Sequence, residues 1–176
     1  MKRTILCTLG VILFAACSNN KEVKVDKDSL IRQISDIEQT VSERWTTYSD
    51  DTATLMVDLY SRFVSNFPED SLTPIYMMRM ADIEVNRGNF EEGVALYDSA
   101  IKFSGFDYRA DCMLRKAEAL DQDGEHADQA ISAYNDFVSQ YPEHPMSKEI
   151  AGRLIYSRMS QEELVDAVHQ MEKTQR

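Results

Sequence analysis

Three histidines and three cysteines are the side chains of this 176-residue sequence best suited to metal binding or nucleophilic chemistry, and neither set is arranged for it. His126, His144 and His169 follow one another at 18 and 25 residues, whereas a helical metal site needs two imidazoles about one turn apart, as in HExxH. No G-x-S-x-G nucleophile elbow and no phosphate-cradling glycine loop occurs. Asp121-Gln122-Asp123-Gly124 has the acid and glycine order of a calcium loop, but the loop's first and last ligand positions fall on Ala119 and Ala130. Among 30 acidic residues no spacing singles out two for paired-carboxylate catalysis. The sequence therefore predicts no catalytic residue, no metal and no cofactor.

Charge narrows the partners. Nineteen Lys and Arg stand against 30 Asp and Glu, a formal net charge of -11, which disfavours nucleic acid because phosphate binding rests on clustered cations. With 43% apolar residues the chain can bury a core, and six Gly with four Pro are too few for the turns of a sandwich or barrel. The expected class is all-α.

The front of the chain reads as an address. Met1-Lys2-Arg3 is followed by the uncharged run Thr4 to Ala16, about 20 Å of helix, short of the roughly 30 Å of a bilayer's hydrocarbon. This is the layout of a signal peptide over residues 1–16. Phe14-Ala15-Ala16-Cys17 resembles the lipobox of bacterial lipoproteins, which implies that Cys17 carries diacylglyceryl and palmitate groups and becomes the first mature residue. The alternative is a plain signal peptide cut near Ala16 that leaves a free thiol. Ser18 after the cysteine resembles the sorting context for the outer membrane, implying a lipid anchor there, on the periplasmic side or with the protein exposed at the surface. Residues 17–27 are polar and aperiodic, a tether. After cleavage the net charge is -13, and Cys112, beside Met113 and Leu114, reads as a small buried apolar residue.

The elements that follow repeat. Tyr60 to Asp70 (YSRFVSNFPED) lies 74 positions before Tyr134 to His144 (YNDFVSQYPEH), and Tyr97 with Ala100 and Ile101 marks the halfway offset of 37. Ala81, Gly88 and Phe90 are answered by Ala117, Gly124 and His126 at an offset of 36. Apolar residues at helical spacing predict helices over 75–87 and 90–103, broken at Gly88-Asn89. Small residues, Ala81 with Gly93 and Ala117 with Ala130, allow close helix crossing. A preceding second helix is expected over 52–66, a first helix of a further unit over 148–159, and a last helix from the capping box Ser160-Gln-Glu-Glu163 to Lys173. Leu30, Ile34, Ile37, Val41 and Trp45 stripe an N-terminal helix placed at 28–50, ahead of a repeat domain over 51–176.

These residues resemble the tetratricopeptide repeat: Ala81, Gly88, Phe90, Tyr97 and Ala100 match its small, turn and aromatic positions, and Ala117, Gly124, Ala130, Tyr134 and Pro142 match them again. Met77 and Met113 stand for the family's Trp, Gly93 for its Ala, Gly105 for a closing Pro, and one extra residue separates Gly124 from Ala130. The resemblance implies a short α-solenoid whose first helices line a protein-binding groove. Its groove positions fall on Ile75, Met78, Asp82, Val85 and Asn86, then on Asp111, Leu114, Glu118, Asp121 and Gln122. Met78 and Leu114 occupy the places of the lysines with which part of the family clamps C-terminal carboxylates, so a partner protein or peptide with apolar anchors and basic residues suits better. The same carboxylates equally suit a face that only keeps the solenoid soluble. With the lipobox, the chain resembles the repeat lipoproteins of β-barrel assembly and the Tol-Pal coordinator's repeat domain, implying an envelope scaffold or adaptor. A lipoprotein capturing glycan or peptide for uptake is the rival function, for which Tyr76 and Tyr108 supply few groove aromatics.

Overall fold

The computed structural model describes residues 25–43 and 49–157, and among these every regular element is helical. The order is α1 (Lys27–Glu43), α2 (Asp50–Asn66), α3 (Thr73–Asn86), α4 (Phe90–Ile101), α5 (Arg109–Asp123), α6 (Ala127–Gln140) and α7 (Ser147–Ser157). Each helix packs on its neighbours in sequence, and α3 also meets α5, which is the α-solenoid expected. The signal segment, Cys17, Trp45, His169 and the helix expected over 160–173 lie outside the described residues.

Local chemistry sets the ends. Ser49 caps α2, its hydroxyl accepting from the Thr52 amide at 3.3 Å, with Asp50 and Asp51 at the positive end of the helix dipole. Gly88, at φ +83°, closes α3 as a Schellman turn: its amide donates to the Val85 carbonyl and that of Asn89 to the Glu84 carbonyl, each at 2.9 Å. The extra residue of the second unit does not lengthen its turn. Helix α5 runs straight up to Gly124, so three residues, Gly124 to His126, join α5 to α6 as three join α3 to α4.

The 74-residue repeat extends to individual hydrogen bonds. Phe67 and Tyr141 cap α2 and α6 in nearly the same conformation, and their carbonyls accept from the buried hydroxyls of Thr73 and Ser147, the first at 2.6 Å. The halfway turn lacks both the proline and the hydroxyl. There the Arg109 guanidinium takes the Phe103 carbonyl instead. The second helix expected from residue 52 starts two residues earlier, and the helix placed at 28–50 is described as far as Glu43.

Three core clusters follow, each built by three successive helices. Leu30 and Ile34 of α1 join Leu59, Tyr60 and Phe63 of α2 and Tyr76 and Ile83 of α3. Ala81 and Val85 of α3 join Tyr97 and Ala100 of α4 and Cys112 of α5. Leu120 of α5 joins Tyr134 and Phe137 of α6 and Ile150 and Leu154 of α7. Where α3 crosses α4, a Cβ on Gly93 would lie 2.5 Å from Val85 Cγ2 and 3.2 Å from the Ala81 carbonyl oxygen. Val85 is β-branched and has one favoured rotamer in a helix, so it cannot swing aside cheaply.

Two predictions follow from this packing. Gly93→Ala gains about 1 kcal/mol of helix propensity but meets an overpacking cost of about 1–3 kcal/mol, so a net loss of roughly 1 kcal/mol is expected in urea unfolding; a stabilised variant would show that the crossing is loose. Lys27 of α1 bonds Asp70 in the α2–α3 turn; burial opposes its ionisation, but Lys27 and the Leu72 amide outweigh this and hold the carboxyl below its ordinary 3.8. A depressed folded pKa contributes stability above pH of about 3.8 and loses it as pH falls through the folded value. The stability gap between wild type and Lys27→Met should therefore be full at pH 6 and shrink in acid, and a constant gap would exclude the linkage.

Candidate protein-binding face

The first helices of the pairs, α1, α3, α5 and α7, are bridged in series by a recurring polar junction. Each junction takes a carboxylate from one first helix, a tyrosine hydroxyl from the second helix of that pair, and a guanidinium from the next first helix. Glu38 accepts from the Tyr60 hydroxyl at 2.6 Å and from Arg79. Asp82 accepts from the Tyr97 hydroxyl at 2.6 Å, while Arg115 Nη1 reaches both of its oxygens at 3.0 and 3.1 Å. Asp121 accepts from the Tyr134 hydroxyl at 3.4 Å and from Arg153 at 3.2 Å.

Electrostatics within the junctions follows from burial. Burial, then the bond to Glu38 and its charge, push the Tyr60 phenol upward, and burial with Asp82 does the same for Tyr97, so both hydroxyls remain donors at any physiological pH. Burial and the Asp121 charge raise Tyr134 in the same sense. Desolvation works against the charge on Arg115, and Asp82 more than offsets it. The carboxylates open toward solvent along the series, at 28% exposure for Glu38 and Asp82 against 49% for Asp121, so the third junction is the most screened.

The groove positions read from the sequence divide into three groups, with Ile75 apart from them. Met78, Val85 and Leu114 are core residues, each 9% exposed or less, and offer a partner almost no surface. Asp82 and Asp121 are junction members whose charge a guanidinium already answers. Asn86, Asp111, Glu118 and Gln122 are exposed, and Asp111, Arg115, Glu118 and Gln122 run at three- and four-residue spacing as one stripe of α5. Asp111 also lies 3.9 Å from His144 in the turn before α7. Ile75, half buried, faces the turn edge beside Leu72 and Phe103. The face is thus alternately charged, more balanced than its acids alone suggest.

The guanidiniums were the residues missed, along with Glu38. Their signal was present: Arg79, Arg115 and Arg153 recur at 36 and 38 residues, close to the 37 separating Tyr60, Tyr97 and Tyr134. A cleft of about 340 Å³ opens at the first junction, walled by Val41, Met56 and Ile83 beside Glu38, Arg79 and Asp82. Among the described residues no three His, Cys, Asp or Glu side chains converge as metal ligands. Cys112 is fully buried, its thiol 3.7 Å from the Tyr97 carbonyl, and burial pushes it up to about 12, leaving an unreactive thiol at neutral pH.

Residues 111–144 match the tetratricopeptide repeat family model, a span that takes in all but the first two residues of α5, the whole of α6 and the turn that follows. No curated protein matches the chain, and no solved structure does.

The gradient in exposure makes a stability prediction. Asp82→Ala, which strands a buried tyrosine hydroxyl and a guanidinium, should cost about 1–2 kcal/mol, and Asp121→Ala under about 1 kcal/mol, by urea unfolding monitored with circular dichroism. Equal or reversed costs would mean that the junctions do not tie the helices together.

Proposed function

We propose that the chain is a lipid-anchored adaptor of the bacterial cell envelope that binds a partner protein or peptide along the face of its first helices. The match of residues 111–144 to the tetratricopeptide repeat carries this, because repeats of that kind mediate protein–protein interaction. The alignment of α1, α3, α5 and α7 supports it further, since their junctions fix the spacing of side chains that a partner would read. Charges on such a face steer approach and set register more than they add affinity, so alternating signs suit a partner of mixed charge with basic and apolar anchors. The anchor rests on the sequence Phe14-Ala15-Ala16-Cys17, and outer-membrane attachment on Ser18. Durable attachment is what two or more acyl chains supply.

Two measurements test the halves separately. Photocrosslinking residues placed at Glu118 and Gln122, on the exposed stripe of α5, should capture a discrete partner in cells, while the same residues at Glu92 and Asp136, exposed on second helices, should not; equal capture at all four removes the groove. Wild-type chain should incorporate labelled palmitate and partition into membranes, and Cys17→Ala should do neither; retained labelling in the variant rules out Cys17 as the anchor.

A further inference from the structure

We propose that the cleft between the α2–α3 and α4–α5 turns is a second docking site, built for a Lys- or Arg-bearing segment of a protein partner and separate from the first-helix face. The cleft holds about 470 Å³, within the range of ligand pockets. Half-buried Phe103 contributes an apolar wall, Phe106 lines the cleft from the core at 8% exposure, and the Tyr108 ring is 51% exposed, 6.1 Å from Phe106 at a 58° tilt. Tyr108 is one of three large apolar side chains left this exposed among the described residues, and the other two, Leu55 and Ile155, lie elsewhere. Glu69 and Asp107 line the cleft as exposed carboxylates, and Asp70, also in its lining, is already bonded to Lys27.

Charge identifies the occupant. On the first-helix face each junction carboxylate already has a guanidinium, whereas no Lys or Arg lines this cleft. Two cations adjoin the lining in sequence: Arg109 has its guanidinium turned to the Phe103 carbonyl, and Lys102, exposed at the end of α4, is not among the lining residues. An aromatic ring beside free carboxylates recognises a cation carried on an aliphatic stem: the stem lies on Phe103, the charge sits over Tyr108, and Glu69 or Asp107 accepts a charge-assisted hydrogen bond. A purely apolar ligand would instead desolvate those acids without return.

Binding of the blocked pentapeptide acetyl-GRGKG-amide to the full chain, followed by amide chemical shifts and calorimetry, tests this. Saturable shifts confined to residues 69–71 and 104–108 are expected, with affinity falling at least tenfold in Glu69→Gln/Asp107→Asn and in Tyr108→Ala. Both variants change exposed side chains, and their thermal unfolding should match wild type. Asp111→Asn/Glu118→Gln, on the other face, should bind as wild type does, so failure here is distinct from failure of the groove. Shifts spread over the acidic surface, undiminished binding by the cleft variants, or equal binding of acetyl-GEGEG-amide would overturn the site. Spermine binding as tightly as the peptide would overturn the protein segment as its occupant.

Discussion

Each core cluster draws on three successive helices, so among the described residues no pair buries its apolar surface by itself. Helix α3 shows the constraint: Tyr76 and Ile83 belong to the cluster with α1 and α2, while Ala81 and Val85 belong to the one with α4 and α5. A helix used on two sides cannot drift relative to either neighbour, because a shift that improves one cluster opens the other. The close approach at Gly93 belongs to the same logic, since the α3–α4 crossing must be tight enough for both clusters to stay closed. Stability then accumulates from neighbour to neighbour along the solenoid.

Hydrophobic stacking alone leaves rotation of one unit against the next weakly specified, because apolar contact has no direction. The carboxylate–tyrosine–arginine junctions supply direction. A phenol anchored in the core of one pair fixes a carboxylate, and the carboxylate then fixes a guanidinium on the next first helix. Exposed ion pairs contribute about 0–1 kcal/mol each, too little to hold the fold but enough to select among rotations of similar apolar burial. The burial of the tyrosines keeps the arrangement independent of pH through the physiological range.

Much of this was legible in the residues. Apolar periodicity with the 74-residue recurrence ending in Phe67-Pro68 and the glycine at 88 locates α2, α3 and α4 to within two residues at each end, while Gly124 and the small residues at 117 and 130 mark the second unit without fixing the bounds of its helices. What sequence could not separate was the side of a first helix on which a residue stands when apolar and charged positions alternate closely. Met78 and Leu114 were placed on the groove and lie in the core, one position removed from Arg79 and Arg115, which do reach the face. At 100° per residue one step in sequence is more than a quarter turn, and a two-sided helix offers apolar surface on both flanks, so hydrophobic pattern alone does not resolve it. The junctions also join carboxylates directly to guanidiniums 32 to 41 residues away, a coupling that no single-helix period contains.

The halfway turn departs from the repeat in three ways at once: Gly105 replaces proline, Arg109 replaces the capping hydroxyl, and Phe103, Phe106 and Tyr108 replace the single aromatic of the flanking turns. Such a departure does not disturb the core, because Arg109 satisfies the carbonyl that Thr73 and Ser147 satisfy elsewhere. The turn is therefore free to vary so long as that one acceptor is paired. Phe106 belongs to the core cluster of α3, α4 and α5 and Phe103 packs against it, so the Tyr108 ring alone is left outside the core, and the local rule is broken where the cleft forms. Of the 30 acidic residues, Glu38, Asp82 and Asp121 on the first helices are each answered by a guanidinium from the next unit, whereas at the turn edge Glu69 and Asp107 stand beside the exposed Tyr108 ring with no Lys or Arg in the cleft lining.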